Sequence, residues 1–296
     1  MTFSIEYNRM ALIAAVFTLC LASSYGYAFG GRQQCGRSMA STRIVGGQAA
    51  QWLAWPWMGF IEYNMTHPTK GLYIGICSGS LISDQWVLTA AHCTEKIMDG
   101  YKIIGINVTF GDYDFRITEG TEVTRFVNQY YLDSFNGTSF KNDLALYKLT
   151  EPLDLQGQHS YLQPICMPPR TLNLAPGTMV EATGWGYTSD TSGPPDTLNQ
   201  IALPVVNNPV CKRRWDYLFD ASGQLCAGYQ EAGHNICHGD SGGPLNYQLA
   251  NGAWVVYGLT SFTSGDGCAT YDSPSVFTKV APYISWIERV TGLKFN

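Results

Sequence analysis

The stretch Ser78-Gly79-Ser80-Leu81-Ile82-Ser83-Asp84-Gln85-Trp86-Val87-Leu88-Thr89-Ala90-Ala91-His92-Cys93 decides the fold class. Its runs 78–83 and 86–91 are short and rich in β-compatible residues, and the polar pair Asp84-Gln85 leaves room only for a tight reversal. The segment therefore reads as strand, turn, strand. Similar strand and turn signals continue between residues 72 and 280, and no apolar pattern holds a helical period for long, so the class is mainly β. Asn251-Gly252, between Leu245-Asn246-Tyr247-Gln248 and Trp254-Val255-Val256-Tyr257, reads as a two-residue hairpin turn, because both positions tolerate φ > 0. Only the C-terminus changes pattern: Tyr283, Ile284, Ile287 and Val290 share one helical face and Gly292 supplies a stop.

The composition agrees. In 296 residues there are 31 Gly, 13% aromatics and only 14% charged residues, which describes a turn-rich, aromatic-packed globule. A net charge of -5, with Lys and Arg not gathered into a run, excludes a nucleic-acid backbone or an anionic membrane as the expected partner. The apolar run Met10 to Ala22 has 13 residues, short of the ~20 that a bilayer core requires. With Arg9 before it and Gly26-Tyr27-Ala28 after it, residues 1–28 read as a secretory signal cut after Ala28, although Glu6 weakens the charge pattern. The expected location is extracellular. Of nine cysteines, Cys20 falls in that signal and eight are left, an even number suited to four disulfides. A zinc site at His234, Cys237 and His238 lacks a fourth ligand. Asn64-Met65-Thr66, Asn107-Val108-Thr109 and Asn136-Gly137-Thr138 are N-glycosylation acceptors by pattern.

Three further motifs carry chemistry. Leu88-Thr89-Ala90-Ala91-His92-Cys93, Asn142-Asp143-Leu144-Ala145-Leu146 and Gly239-Asp240-Ser241-Gly242-Gly243-Pro244 supply a histidine, an aspartate and a serine in that order. A serine hydroxyl is a weak nucleophile until an imidazole takes its proton, and the imidazole needs a buried carboxylate to fix its tautomer. Gly239 and Gly242 permit the sharp turn that aims backbone N–H groups at a developing oxyanion. On these residues the sequence resembles the chymotrypsin-like serine endopeptidases, from Ile44 to the C-terminus, and within them the elastase- and chymotrypsin-like subgroup.

That resemblance implies two six-stranded antiparallel β-barrels packed together, with the C-terminal helix covering one of them. It implies His92 as general base and acid, Asp143 as its orienting group, Ser241 as nucleophile, and the N–H groups of Gly239 and Ser241 as the oxyanion hole. Arg43-Ile44-Val45-Gly46-Gly47 resembles an activation junction: residues 29–43 become a propeptide, 44–296 the protease domain, and the freed Ile44 ammonium the partner of Asp240. The implied disulfides are Cys35–Cys166, Cys77–Cys93, Cys211–Cys226 and Cys237–Cys268. A further bridge of many relatives is replaced by Val180 and Tyr247. The segment 111–122 resembles a calcium loop, with carboxylates of Asp112, Glu119 and Glu122 and carbonyls of Asp114 and Ile117 as ligands; a solvated acidic turn is the alternative. Catalysis itself requires no cofactor.

For specificity, Asn235 stands at the pocket floor where trypsin-like enzymes keep an aspartate, Ser261-Phe262-Thr263 resembles the strand that pairs with substrate, and Thr263 and Ser275 replace wall glycines. A shallow pocket for small to medium apolar P1 residues follows; P1 is the residue on the acyl side of the cut bond. A chymotrypsin-like preference, with Thr263 turned aside, and a catalytically inactive homologue serving as a binding protein are the alternatives. Expected partners of this monomer are protein or peptide substrates, an activating trypsin-like protease and protein inhibitors.

Overall fold

The computed structural model describes residues 35–38, 47–95, 100–187, 195–231, 235–264, 267–268 and 270–295. The chain runs through β1 (Gln48–Ala49), β2 (Met58–His67), β3 (Gly71–Leu81), β4 (Trp86–Thr89), α1 (His92–Glu95), β5 (Lys102–Phe110), β6 (Val123–Leu132) and β7 (Ala145–Leu149). It continues with β8 (Met179–Gly184), β9 (Asn199–Val206), α2 (Asn208–Trp215), β10 (Gln224–Ala227), β11 (Pro244–Gln248), β12 (Trp254–Phe262), β13 (Ser275–Lys279) and α3 (Ile284–Thr291).

The strands close two antiparallel barrels. In the first the order is β2-β3-β4-β7-β6-β5, closed by β2 against β5. In the second it is β8-β9-β10-β13-β12-β11, closed by β11 against β8, with β1 added at the edge of β9. The reversal at Asp84-Gln85 is present: Ser80 pairs with Leu88, Leu81 with Val87, and Ile82 N donates to Trp86 O at 2.9 Å. β3 starts at Gly71, earlier than its sequence signal, because β2 stays in register with it from Met58↔Ser80 to His67↔Gly71.

The Asn251-Gly252 hairpin differs from the two-residue turn expected. Gly252 N donates to Leu249 O and Leu249 N to Ala253 O, both at 2.9 Å, and of the two residues only Gly252, at φ 86°, is left-handed. Ala250 and Asn251 therefore make the bend and Gly252 a bulge, the longer hairpin geometry that needs one left-handed residue and not two.

Burial alternates along the strands. Ile61, Tyr63 and Met65 of β2 face the first core while Glu62, Asn64 and Thr66 face outward. The barrels are joined by tryptophans whose indole N–H groups cannot be buried unpaired: Trp55 Nε1 donates to Gln200 Oε1 at 2.9 Å and Trp57 Nε1 to Asn246 Oδ1 at 3.0 Å. α3 has the expected apolar face, and Ile284, Trp286 and Ile287 join the core cluster of the first barrel. Gly292, at φ 74°, ends it by donating to Glu288 O.

The four disulfides pair as expected, with Cα–Cα separations between 5.0 and 6.5 Å. Where the further bridge is missing, Val180 and Tyr247 meet in one apolar cluster with Leu203 and Tyr257. Cys35–Cys166 secures a short docked segment as well as a sulfur link. Gly36 N donates to Pro164 O and Gly36 O accepts from Trp254 N, each at 2.8 Å, and a side chain at Gly36 would strike the Trp254 carbonyl.

Candidate active site

Asp143 begins the approach to β7 and has no solvent exposure. Its Oδ1 accepts the backbone N–H of His92 at 2.8 Å, its Oδ2 pairs with His92 Nδ1 at 2.8 Å, and the Ser261 hydroxyl donates to the same Oδ2 at 2.5 Å. Three donors around a buried carboxylate fix the ring in one orientation, with Nε2 left to act as acceptor. The Ser261 hydroxyl is thus engaged by Asp143, while the expected role of the strand Ser261-Phe262-Thr263 in pairing with substrate falls to its backbone.

Ser241 lies in a tight turn in which Asp240 N donates to Cys237 O at 3.2 Å and Gly243 N to Asp240 O at 2.9 Å. Gly242, at φ 76°, lets this turn press onto the first barrel, where a side chain would meet Thr89 Oγ1 and the Ser78 carbonyl. Ser78 N donates to Ser241 O at 2.8 Å, so the nucleophile candidate is tied to the strand whose Cys77 is bridged to Cys93, beside His92. The structure shows no hydrogen bond between Ser241 Oγ and His92 Nε2; Cys93 Sγ lies 3.9 Å from that nitrogen. Cys77, His92 and Cys93 converge closely enough for a metal, but both sulfurs are in the disulfide and offer no thiolate. The N–H groups of Gly239 and Ser241 donate to no acceptor among the described residues.

Asp240 points the other way. Its carboxylate accepts from Gly186 N and Cys237 N, each at 2.9 Å, and side chains at Gly184 or Gly186 would collide with it. Burial, only partly offset by those two N–H groups, pushes its pKa up to about 6. It borders a cavity of about 200 Å³ lined by Gly47, Gly186, Ile201 and Asn235. Arg43 and Ile44 lie outside the described residues.

The pocket residues form a connected wall. Asn235 Nδ2 donates to Ser273 O at 3.0 Å, the Ser275 hydroxyl to Asn235 Oδ1 at 2.7 Å, and the Ser275 and Thr263 hydroxyls are 3.2 Å apart. Phe262 leads into an aromatic row: its ring is 5.1 Å from Phe140 and 5.1 Å from Trp215, and Phe140 is 5.9 Å from His92. Phe140 was missed in the sequence, although it is an isolated aromatic in the polar turn just before Asp143. So were Gln224, which donates to the Phe140 carbonyl at 3.0 Å, and Tyr283, which donates to Asn142 Oδ1 at 2.9 Å. The charge reading also passed over Lys212-Arg213-Arg214, a short basic run exposed on α2.

In the acidic loop, Asp112 Oδ1 and Glu119 Oε2 are buried without a hydrogen-bond partner. Burial, then the charges of Glu119, Glu122 and Asp114, raise the Asp112 pKa to about 6. Glu122 accepts from the N–H groups of Glu119 and Gly120, which holds its pKa down, whereas burial and the bond to Glu122 raise that of Glu119. The Asp114 carboxylate is turned to Arg116, which holds it near 2, and the Asp114 carbonyl accepts from Ile117 N. Orphaned buried oxygens of two acids fit a hard cation, yet Asp112, Glu119 and Glu122 do not bring their oxygens within 4.8 Å of one another.

The family model described as Trypsin matches residues 44–287. The chain belongs to the trypsin family. This is a family of serine endopeptidases whose chemistry needs no cofactor, and the candidate site and disulfide residues, except Cys35 and Arg43, lie in the matched range. The chain is also 32% identical over 274 residues to the serine proteinase stubble of Drosophila melanogaster, covering 86% of this chain and 32% of that protein. It thus spans about a third of that relative's length. No helix among the described residues is long and apolar enough to cross a membrane.

Proposed function

We propose that this chain is a secreted serine endopeptidase, made as a zymogen, with His92, Asp143 and Ser241 as its catalytic triad. The observation that carries the reading is the fully satisfied Asp143, which holds His92 by two bonds and leaves Nε2 as the free base. In the reaction Ser241 Oγ attacks the peptide carbonyl as Nε2 takes its proton. The protonated imidazole then delivers that proton to the leaving amine, and water repeats the sequence to release the acid. The uncommitted N–H groups of Gly239 and Ser241 stabilise the oxyanion. Covalent labelling by an organophosphonate, after cleavage at Arg43-Ile44, tests the assignment. Labelling lost in Ser241→Ala supports it, and an unlabelled cleaved wild type leaves the inactive-homologue reading in its place.

Zymogen control is supported by Asp240, a carboxylate beside a cavity whose partners among the described residues are two backbone N–H groups and no cation. Cleavage after Arg43 by a trypsin-like protease would free the Ile44 ammonium, which precedes the cavity-lining Gly47 by three residues. The new pair would hold the turn that carries Gly239 and Ser241. Eight cysteines in four disulfides favour an oxidising, extracellular setting. The segment boundaries, 1–28, 29–43 and 44–296, belong to the same proposal, as do protein inhibitors as partners and a monomeric state.

The bonded wall of Asn235, Thr263 and Ser275 supports a shallow pocket for Ala, Val, Ser or Leu at P1. Among the described residues no carboxylate is bonded into this wall, and the Thr263 hydroxyl is tied to that of Ser275. Thr263→Gly with Ser275→Gly should shift kcat/KM toward Phe and Tyr by about 10-fold or more, since each methylene of fit is worth about 1–3 kcal/mol. Wild-type preference for Phe or Tyr in a P1-diverse library would favour the chymotrypsin-like alternative, and efficient cleavage after Arg would overturn both. Asp112, Glu119 and Glu122, with the Asp114 and Ile117 carbonyls, are proposed to hold a structural calcium ion.

A further inference from the structure

The end of the first barrel carries an exposed apolar strip that the catalytic reading leaves without a role. Leu72 and Ile74 of β3 and Ile104 of β5 are 78%, 55% and 61% exposed. Leu72 pairs with Thr66, and Ile74 with Asn64, so these four side chains share the outer face of the sheet. On the far side of β2, Asn64 pairs with Gly105, which offers no side chain; a Cβ there would meet only Asn64 Nδ2, at 4.0 Å. Thus Asn64-Met65-Thr66 presents its asparagine and its threonine on one face, in the middle of the strip and beside a gap.

Asn107 is on the same face in a different setting. It pairs with Glu62 on one side and Phe126 on the other, and its Oδ1 is buried without a partner. Because Asn64 is opposite Gly105 and Asn107 opposite Glu62, the two asparagines are diagonal neighbours, ~7–8 Å apart in antiparallel sheets. Two branched oligosaccharides rooted that close would contend for the same volume.

We propose that Asn64, and not Asn107, carries an N-linked glycan, and that this glycan roofs the apolar pair Leu72 and Ile74. The donor is a lipid-linked oligosaccharyl pyrophosphate of the secretory route. Asn64 Nδ2 bonds to the anomeric carbon, the bond from that carbon to the pyrophosphate oxygen breaks, the lipid pyrophosphate leaves with its electron pair, and the transferring enzyme's base takes the amide proton. Transfer to the unfolded chain avoids any need to reach a formed strand; folding then turns the glycan at Asn64 outward with the side chain, whereas a chain modified at Asn107 cannot bury that side chain beside Phe126 and does not reach the secreted, folded state. Its first sugars lie over Gly105, with their apolar faces toward Ile74 and Leu72. This assignment is independent of the catalytic reading.

The test is secretion of the full-length chain from a eukaryotic host, followed by peptide-N-glycosidase treatment in ¹⁸O water and peptide mass spectrometry. Asn64 should acquire the label and Asn107 should not. Removing the glycan enzymatically from the folded protein should raise binding of an apolar dye several-fold and promote self-association. Leu72→Ser with Ile74→Thr should abolish that rise, which a merely decorative glycan would not predict. Asn64→Gln and Thr66→Ala should match the enzymatically treated protein; if either fails to fold, the treated wild type gives the same readout. An unlabelled Asn64 in secreted protein, a labelled Asn107, or unchanged dye binding after glycan removal would overturn the proposal.

Discussion

Two buried aspartates stand on opposite sides of the Ser241 turn, and their surroundings differ in what they lack. Asp143 has three donors, two from His92 and one from Ser261, so every charge-bearing oxygen is engaged. Asp240 has, among the described residues, two backbone N–H groups and no cation, with an adjoining cavity, and burial shifts it toward its neutral form. The first is a finished site. The second has room for a positive charge, and on the proposed reading one chain separates the group that orients catalysis from the group that switches it.

The harshest way to break this contrast is to neutralise each carboxylate in turn. Asp143→Asn should lower kcat of the cleaved enzyme by ~10⁴, the size expected when an imidazole is held in the wrong tautomer, and leave KM nearly unchanged. Asp240→Asn should instead erase the gain on cleavage, so that cut and uncut proteins are similarly slow. Steady-state kinetics before and after cleavage at Arg43-Ile44 separate the two. If Asp240→Asn responds to cleavage as the wild type does, the switch reading fails.

Acid stability sharpens the comparison. A carboxyl raised from 3.8 to about 6 contributes stability that is fully present below its unfolded pKa and is lost as pH rises through about 6. Two pKa units correspond to roughly 3 kcal/mol at most. The uncut protein should therefore lose stability between pH 4 and pH 7 through Asp240, and cleavage should remove that loss by supplying the ammonium. Asp112 shifts in the same direction, so the informative quantity is the difference between cut and uncut melting curves. In the uncut chain, Asp240→Asn should raise Tm at pH 7 by several degrees, given ~2–4 °C per kcal/mol at this size. Identical pH dependence in the two forms would count against the pairing.

A finer cut removes one donor from the satisfied site. Ser261→Ala leaves Asp143 with its two bonds to His92, and losing a hydrogen bond to a charged group costs about 1.5–3 kcal/mol. We expect kcat to fall by about 10- to 100-fold, with P1 preference unchanged because the hydroxyl faces Asp143. A changed P1 profile with full kcat would show that the Ser261 side chain acts on the pocket and not on Asp143.

Much of this was legible in the sequence, because the strand and turn periodicity and the three motifs are local; the cysteine pairing came from the family resemblance, since Cys35 and Cys166 are 131 residues apart. What escaped depends on contacts between distant segments. Phe140 reaches His92 only because Gln224 of the second barrel holds its carbonyl and Tyr283 holds Asn142. Ser261 could be read as a strand residue but not as an Asp143 donor, since 118 residues separate them. The Asn251-Gly252 turn failed for a smaller reason: both turn geometries use glycine, and the pairing of Leu249 with Ala253 decides between them.

The acidic loop is the intermediate case. Like Asp240, Asp112 is raised to about 6 by burial; unlike Asp240, it is crowded by other carboxylates, and its orphaned Oδ1 has the orphaned Glu119 Oε2 for company. A divalent cation would serve both oxygens and remove the repulsion that an ammonium relieves at Asp240. Calcium at ten times its Kd should stabilise the fold by about 1.4 kcal/mol through linkage, raising Tm by a few degrees. The rise should vanish in Asp112→Asn with Glu119→Gln, and it should be the same in cut and uncut protein, because this loop belongs to the first barrel. Identical melts in calcium and in chelator would leave the segment as a solvated turn, and of the raised carboxyls only Asp240 would keep a proposed cation.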